Sequence, residues 1–293
     1  MSLRWAFIVN PTAGGGRAKK IASELALLVS ARNLNAKIVK TSSPSEGTLL
    51  AKALSEDGFN PIVAVGGDGT VNEVVNGIAK KGPILGVVPA GTGNDFIHIT
   101  GFPESFTQKD WDVFFKAHTR RIDLGICNGR YFINGMGFGF DAHVASEVSR
   151  TEGKRRYMFS VLKNLLFYRE PEITVFEKGT FKKRKCFLKT VGIGKRFGGG
   201  FLITARATAD DGLFDICTAE EVSILRRLYL LLKVRKGNHI NSKEVNYYRT
   251  DALRFHCREA LPYHLDGEVL FSKTFDIKIL PRAIEVIINP GEG

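Results

Sequence analysis

The sequence of 293 residues contains only four cysteines, Cys127, Cys186, Cys217 and Cys257, which are far apart in the chain. No CxxC pair occurs and no histidine stands at zinc-ligand spacing, which argues against a structural zinc site and a disulfide framework. We expect four reduced thiols that pack in the interior of a cytoplasmic protein.

Long hydrophobic runs are also missing. The most apolar long stretch, VSILRRLYLLLKV over 222–234, is too short to span a bilayer and contains Arg226 and Arg227. We interpret it as a helix buried on one face, with contact to lipid as the alternative. The amino-terminal MSLRWAFIVNP enters a predicted strand directly, and we expect no signal peptide. Any membrane association is therefore expected to be peripheral.

Several catalytic and binding signatures are absent. The sequence contains no GxSxG nucleophile elbow, no HExxH zinc pair and no GxxxxGK[ST] phosphate loop. The aromatic signatures of RNA-binding domains are missing as well. These absences argue against serine hydrolases, zinc proteases and P-loop enzymes, and nucleic acid is not an expected partner.

Positive charge is abundant and unevenly distributed. The formal net charge is +12, and residues 150–196 contain 14 Lys and Arg against 4 Asp and Glu. Such a concentration favours an anionic membrane surface as a partner. The alternative is a solvated basic face that only aids solubility.

Predicted strands and helices alternate over the first hundred residues. The strands are LRWAFIVN, AKIVKT, PIVAV and PILGVVP, and apolar residues at helical spacing follow the first three. Such alternation predicts a parallel sheet with helices on both faces, which binds ligands at the carboxyl ends of its strands. We assign an α/β domain to 1–122, rejoined by 284–293 because AIEVII after Pro281 is typical of one more strand.

From Asp123 onward the pattern changes to short β-rich segments separated by turns. RRIDLGICNGRYFINGMGFGF predicts a hairpin with an NG turn, and PEITVFEKGTFKKRKCFLKTVGIG, DALRFHC and TFDIKIL continue the pattern. We expect a mainly antiparallel β-sandwich domain over 123–283.

Three glycine-rich segments follow predicted strands: NPTAGGG (10–16), GGDGT (66–70) and GTGND (91–95). Glycine permits positive φ and lets successive amide groups turn toward one anion, and the helices that follow add the positive ends of their dipoles. Phosphate is therefore the expected ligand. Thr70 and Glu73 also fit a capping box at the start of the helix after GGDG.

Five sequence motifs occur in an order that resembles a known protein family. NPTAGGG, GGDGTVNEVVNGI, PAGTGNDF, GGGF with ADDGLFD, and HLDGE extend over nearly the whole chain. Their order resembles the diacylglycerol kinase catalytic-domain family, which includes bacterial lipid kinases and, more distantly, sphingosine kinases. GGDG alone is less specific, because nicotinamide-nucleotide kinases and phosphofructokinases share that turn.

The resemblance implies an ATP site between the two domains and magnesium ions. The implied ATP contacts are Asn10, Pro11, Thr12, Ala13, Gly14, Thr41, Gly67, Asp68, Gly69, Thr70, Val71, Asn72, Glu73 and Thr92. The implied ligands of the catalytic magnesium ion, partly through water, are Asp68, Asp95 and Asp123. A separate structural magnesium ion is implied at the side chain of Asp211 and the carbonyl oxygens of Thr208 and Leu213.

The resemblance further implies that Asp266 of HLDGE is the general base, which accepts the proton of the acceptor hydroxyl. Glu268 and Glu73 are candidates for orienting water or metal. His264 is interpreted as a packing or turn residue rather than a catalyst.

Two departures from the family pattern concern the acceptor. Ile97 and His98 replace the usual Ala-Arg after GTGNDF, and Thr204-Ala205 replaces a usual proline. The leading hypothesis is transfer of the γ-phosphoryl group of MgATP to the hydroxyl of a membrane lipid such as diacylglycerol. A kinase of a soluble nucleotide and a non-catalytic nucleotide- or lipid-binding regulator are the alternatives. The oligomeric state stays open, and a homodimer is compatible with the sequence.

Overall fold

The computed structural model describes residues 3–79, 82–147, 153–177 and 180–292. The chain divides into two compact units, Met1–Leu124 with Arg282–Gly293 and Gly125–Pro281. The domain limits expected from the sequence lie within two residues of these. Five residues of the basic stretch 150–196, namely 150–152, 178 and 179, lie outside the described residues.

In the first part of the chain, each of the first four strands is followed by a helix. These elements are β1 (Trp5–Val9), α1 (Arg17–Ala31), β2 (Ala36–Lys40), α2 (Glu46–Glu56), β3 (Ile62–Gly66), α3 (Asp68–Ile78), β4 (Leu85–Pro89), α4 (Ile97–Thr100) and α5 (Gln108–Phe114).

The remaining elements are mainly strands. They are β5 (Thr119–Cys127), β6 (Arg130–Phe132), β7 (Gly135–Gly139), α6 (Phe140–Glu147), α7 (Gly153–Phe167), β8 (Glu172–Glu177), β9 (Thr180–Lys185), β10 (Leu188–Gly192), β11 (Phe214–Ala219), α8 (Ile224–Val234), β12 (Val245–Thr250), β13 (Ala252–Leu265) and β14 (Glu268–Ile287).

The sheet of the first unit is parallel. Its order is the carboxyl-terminal end of β14, then β4, β3, β1 and β2, and Val286 in the AIEVII segment pairs with Leu85. Every residue of β1, β3 and β4 is buried. Parallel strands that are covered on both faces have continuous apolar sequences, which is why WAFIV, IVAVG and LGVVP show no alternation. The predicted α/β fold class is confirmed.

The sheet of the second unit is antiparallel, in the order β12-β11-β10-β7-β13-β14, with β8 on β13 and β9 on β8. β5 and β6 form the predicted hairpin, and its turn residues Asn128 and Gly129 have φ of 50° and 85°. Asparagine and glycine tolerate this left-handed backbone best. The antiparallel β region is thus also confirmed.

All four cysteines are buried and free, as the sequence predicts. Burial raises the pKa of the Cys127 thiol to about 12, so this side chain behaves as an apolar packing group. No helix in the described ranges is both long and apolar enough to cross a bilayer.

Arg227 of α8 is buried, although the sequence suggests only an interruption of an apolar stretch. Its guanidinium donates hydrogen bonds to the carbonyl oxygens of Leu165 (2.9 Å), Tyr168 (3.0 Å) and Val222 (2.9 Å). It also pairs with the carboxylate of Glu170. Because the last carbonyl groups of a helix lack partners within that helix, Arg227 satisfies the end of α7 and joins it to α8.

Replacing Arg227 by methionine is expected to lower the free energy of unfolding by about 3–5 kcal/mol, because Glu170 and the carbonyl groups lose a buried cationic partner. Arg254→Met is the matched control, since Arg254 is 61% exposed and pairs with Asp276 on the surface. We expect the control to cost less than about 1 kcal/mol. Denaturant unfolding measures both, and equal losses would contradict the assignment.

Candidate functional site

The first glycine-rich turn follows β1. Asn10 lies at the end of this strand, and its side-chain amide donates to Oγ1 of Thr70 at 3.3 Å, which links the turn to α3. Its Oδ1 accepts hydrogen bonds from the amide and hydroxyl groups of Thr12 (3.1 and 2.8 Å). Gly14, Gly15 and Gly16 then have φ of 59°, 64° and 94°, a conformation that side chains with Cβ rarely adopt.

The second and third turns touch each other. A Cβ added at Gly91 would lie 2.4 Å from Cα of Gly67, so the two backbones are in direct contact. Asn94 closes the third turn, because its side chain accepts from the amide of Gly91 (2.9 Å) and donates to the carbonyl oxygen (3.0 Å) of the same residue. The amide of Phe96 donates to Oδ1 of Asp68 at 3.2 Å.

The first turn meets the third as well. A Cβ at Gly14 would lie 2.1 Å from the carbonyl oxygen of Ala90, and Arg17 donates to the carbonyl oxygen of Gly91 at 2.8 Å. The three turns therefore form one cluster at the carboxyl ends of β1, β3 and β4. At Gly15 and Gly16 the Cβ positions face open space, with no atom within 4 Å. A cluster of this kind fits a polyphosphate, whose oxygens accept hydrogen bonds from backbone amides.

Two helices begin at this cluster, rather than three. α1 starts directly after the first turn and α3 starts within the second, at Asp68, whereas the GTGND turn is followed only by the four-residue α4. The prediction that a helix dipole also supports the third turn is therefore wrong. Ile97 and Phe96 are buried, and Gly101 with φ of 74° ends the short helix.

Glu73 does not form the predicted capping box. Its carboxylate accepts hydrogen bonds from the amides of Ser45 (3.0 Å) and Gly47 (2.9 Å) at the start of α2. Thr70 lies inside α3, which begins at Asp68 after Gly67. A carboxylate at a helix amino terminus satisfies unpaired amides, so Glu73 joins α2 to α3.

The other predicted ATP contacts differ in exposure. Thr12 and Thr92 are exposed, Pro11, Ala13 and Gly69 are partly buried, and Thr41, Val71 and Asn72 are buried. The amide of Thr41, directly after β2, donates to the carbonyl oxygen of Val9 at the end of β1 at 2.9 Å. The predicted set therefore contains both residues that line the turns and residues that support them from inside.

The carboxylates predicted to hold the catalytic magnesium ion have different surroundings. Asp68 and Asp95 flank the contact between the second and third turns; Asp68 is partly buried and Asp95 is buried. Asp123 is fully buried, and its Oδ1 accepts a hydrogen bond from the amide of Arg282 at 2.7 Å. Within the described ranges, no group of three or more His, Cys, Asp and Glu side chains is arranged to hold a metal ion. The donor chemistry at Asp68 and Asp95 suits magnesium, which keeps several water ligands.

The predicted structural magnesium site contains an arginine. Nη1 of Arg249 lies 3.4 Å from Oδ2 of Asp211, whose Oδ1 accepts from the amide of Leu213 at 3.1 Å. Nε of Arg249 also lies 3.4 Å from Oδ1 of the buried Asp215. Burial raises the pKa of Asp215, and its hydrogen bond from the Tyr247 hydroxyl opposes this shift. The positive charge of Arg249 compensates the carboxylates of Asp211 and Asp215 and argues against a cation at the same place. The structural magnesium ion stays a prediction.

Asp266 lies in the second unit and is 6% exposed. Its φ is 47°, and its carboxylate accepts hydrogen bonds from three consecutive amides, those of Ile133, Asn134 and Gly135, each at 2.9 Å. Three donors to one carboxylate fix its direction. The next residue, Gly267, has φ of 80° and completes the turn between β13 and β14.

Sequence reasoning missed Asp141, which lies beside this turn. Its Oδ2 is 3.4 Å from Nε2 of His264, and Nδ1 of His264 accepts a hydrogen bond from the amide of Gly267 at 3.3 Å. His264 therefore stabilises the turn, in agreement with the turn interpretation. Glu268, a candidate for orienting water, pairs with Arg130 at 2.8 Å. The hydrophobic context FGFDAH gives no sequence signal for Asp141.

A parallel α/β fold with glycine-rich turns at the carboxyl ends of its strands is typical of nucleotide-binding proteins. The model of the diacylglycerol kinase catalytic domain matches residues 4–127, and that of the YegS C-terminal NAD kinase beta sandwich-like domain matches residues 134–288. The chain belongs to the diacylglycerol kinase catalytic-domain family of lipid kinases.

Curated relatives and solved structures agree with this family. The chain is 29% identical to a diacylglycerol kinase of Bacillus subtilis over 89% of this chain and 88% of the relative. It is 31% identical to the "Probable lipid kinase YegS-like" of Chromohalobacter salexigens over 82% and 79% of the two chains. A crystal structure of a diacylglycerol kinase from Bacillus anthracis superposes with a TM-score of 0.79 at 25% identity, covering 98% of each chain. The protein is an ATP-dependent phosphotransferase with an alcohol group as acceptor.

Proposed function

We propose that this protein transfers the γ-phosphoryl group of MgATP to the hydroxyl group of a membrane lipid, diacylglycerol or a similar lipid alcohol, at a membrane surface on the cytoplasmic side. The observation that supports this most is the direct contact of the three glycine-rich turns in a chain of the lipid kinase family. The relatives named diacylglycerol kinase support the choice of acceptor.

The chain's own residues divide the work between binding and proton transfer. Backbone amides of the turns 10–16, 66–70 and 91–95 hold the phosphates, and the amino termini of α1 and α3 add favourable dipoles. Asp68, Asp95 and Asp123 would hold magnesium, partly through water, and the ion would neutralise charge on the phosphates. Asp266 accepts the proton that the lipid hydroxyl loses as it attacks phosphorus.

The second unit contains a cavity suited to an apolar acceptor. Its volume is about 470 Å³, and its walls include Phe138, Tyr168, Leu261 and Pro262. The polar residues that line it are His143, Glu147, Lys163, Asn164 and Arg169. Apolar walls with a few polar groups are typical of sites for small hydrophobic ligands.

Incubation with labelled ATP, magnesium and phosphatidylcholine–phosphatidylglycerol vesicles containing diacylglycerol tests the proposal. We expect label in the organic phase only when diacylglycerol is present in the vesicles. Vesicles without diacylglycerol are the control. Label confined to water-soluble products would indicate a soluble acceptor, and nucleotide binding without any transfer would indicate a regulator. Either result overturns the proposed function.

A further inference from the structure

The outward faces of α7 and α8 are apolar. In α7, Phe159, Leu162 and Leu166 recur at i, i+3 and i+7, and they are 71%, 44% and 46% exposed. In α8, Leu225 and Leu232 recur at i and i+7, and they are 79% and 75% exposed. Residues at these spacings share one side of a helix. Each helix therefore presents large apolar side chains to solvent.

The opposite faces of the two helices pack on one core. Val161 and Leu165 of α7 and Leu230 of α8 belong to the same buried cluster, together with Phe187. The hydrogen bonds of Arg227 to the end of α7 hold the two helices together. The exposed apolar residues of both helices thus point away from a shared core, and we call them the α7–α8 face.

Neither α7 nor α8 contains Asp or Glu. Lys163 is exposed and Arg226 and Lys233 are partly exposed, whereas Arg227 is buried against Glu170. Arg226 pairs with Glu244, which lies outside the two helices, at 2.6 Å. Arg226 and Lys233 lie over the ring of Tyr229 at 4.7 and 4.5 Å, beside the two exposed leucines. Apolar side chains bordered by cations complement a surface with an apolar interior and anionic headgroups.

We propose that the α7–α8 face inserts its apolar side chains into an anionic phospholipid bilayer, with the flanking cations at the headgroup phosphates. The helices have 15 and 11 residues, so they suit a position in the plane of the interface rather than a span. This inference rests on the proposed function, because a lipid acceptor has to be taken from a membrane.

A second copy of the chain is the competing occupant of the α7–α8 face. A symmetric dimer would bring the same patch of each copy together. Neither helix contains an acidic residue, and the neighbouring Glu244 is already paired with Arg226. Lys163 and Lys233 would therefore meet no new carboxylate on the α7–α8 face of a second copy, and like charges facing each other are unfavourable. A bilayer with anionic lipids has no such conflict.

The α7–α8 face also adjoins the cavity of the second unit. Lys163 and Phe167, both exposed residues of α7, line this cavity together with Tyr168. An inserted α7 therefore places the cavity mouth at the level of the lipid headgroups. This arrangement gives the acceptor a route from the bilayer that avoids water.

The test compares two double variants with matched exposure. Leu225→Gln/Leu232→Gln removes apolar side chains from α8, whereas Leu27→Gln/Leu49→Gln removes two leucines that are 73% and 68% exposed in the first unit. Cosedimentation with phosphatidylglycerol-containing vesicles measures binding. We expect about tenfold weaker binding for each leucine lost from α8, and little change for the control pair. Equal binding of the two variants overturns the inference.

Two further measurements separate the inference from the proposed function. Transfer to diacylglycerol in detergent micelles is expected to persist in Leu225→Gln/Leu232→Gln, because that acceptor needs no bilayer. Absence of transfer from the unmodified protein in both micelles and vesicles defeats the proposed function, whereas vesicle binding tests the α7–α8 face alone. If the unmodified protein is a dimer, Leu225→Gln/Leu232→Gln is a monomer in light scattering and its vesicle binding is unchanged, the α7–α8 face belongs to a second copy. That result overturns the inference.

Discussion

Replacing Asp266 by asparagine is expected to lower kcat by about a hundred to ten-thousand-fold, because the lipid hydroxyl loses its proton acceptor. The affinity for ATP is expected to change little, since the glycine-rich turns belong to the first unit. Asparagine tolerates the φ of 47° at this position, so the backbone conformation of the turn is preserved. The measurements are transfer at saturating lipid and ATP affinity by calorimetry.

The three amide donors around Asp266 make a structural role the competing explanation. An asparagine has only one side-chain oxygen, so at least one of the amides of Ile133, Asn134 and Gly135 loses its acceptor. We expect this loss to cost about 1–3 kcal/mol of stability. If the variant remains folded at the assay temperature and transfer is nevertheless unchanged, Asp266 only shapes the turn.

Asp276→Asn is the matched control for charge. Asp276 lies on β14, the strand that follows the Asp266 turn, is 48% exposed, and pairs with Arg254. Its replacement removes one negative charge from the second unit without touching the turn. We expect transfer to stay near the unmodified level. A comparable loss in both variants would assign the effect to net charge and contradict the base assignment.

The parallel sheet was predictable from the sequence because its strands are covered on both faces. WAFIV, IVAVG and LGVVP are continuous apolar runs followed by glycine, which fixes both the type of element and its end. The turns were predictable for the same reason, since glycine at a strand end has few structural alternatives. Their mutual contact was expected because parallel strands place equivalent ends at one edge.

α7 could not be predicted from its sequence. Apolar residues lie on both its buried face and its outward face, so no single stripe with a period of 3.6 residues stands out. The same distribution underlies the α7–α8 face. A helix with apolar residues on two sides is ambiguous in sequence and becomes interpretable only when the structure shows which side is covered.

The partners of charged side chains were the other part that sequence reasoning missed. Glu73 fits a local capping box by spacing, yet its partners are Ser45 and Gly47, 28 and 26 positions away. Arg249 similarly meets Asp211 across 38 positions of chain. Spacing rules describe neighbours within one element, whereas these pairs form only when different elements pack together.

Gly14→Ala is expected to disrupt the cluster of turns more than any other replacement by alanine in the first turn. The new Cβ would lie 2.1 Å from the carbonyl oxygen of Ala90, so the first turn has to move away from the third. The φ of 59° adds a cost of about 1–2 kcal/mol, and the displaced backbone about 1–3 kcal/mol more. We expect ATP affinity to fall at least about tenfold, since a loss of about 1.4 kcal/mol of binding free energy is enough for a tenfold change.

Gly82→Ala and Gly15→Ala separate the causes of that effect. Gly82 has φ of 84° and no atom within 4 Å of its Cβ position, so its replacement costs only the left-handed backbone and leaves ATP affinity unchanged. Gly15 has φ of 64° and equally open space, but it lies inside the turn. If the open side of this turn holds the phosphates, Gly15→Ala lowers ATP affinity while its melting temperature matches that of Gly82→Ala. Unchanged ATP affinity in both Gly14→Ala and Gly15→Ala, measured on folded protein, would remove the first turn from the nucleotide site.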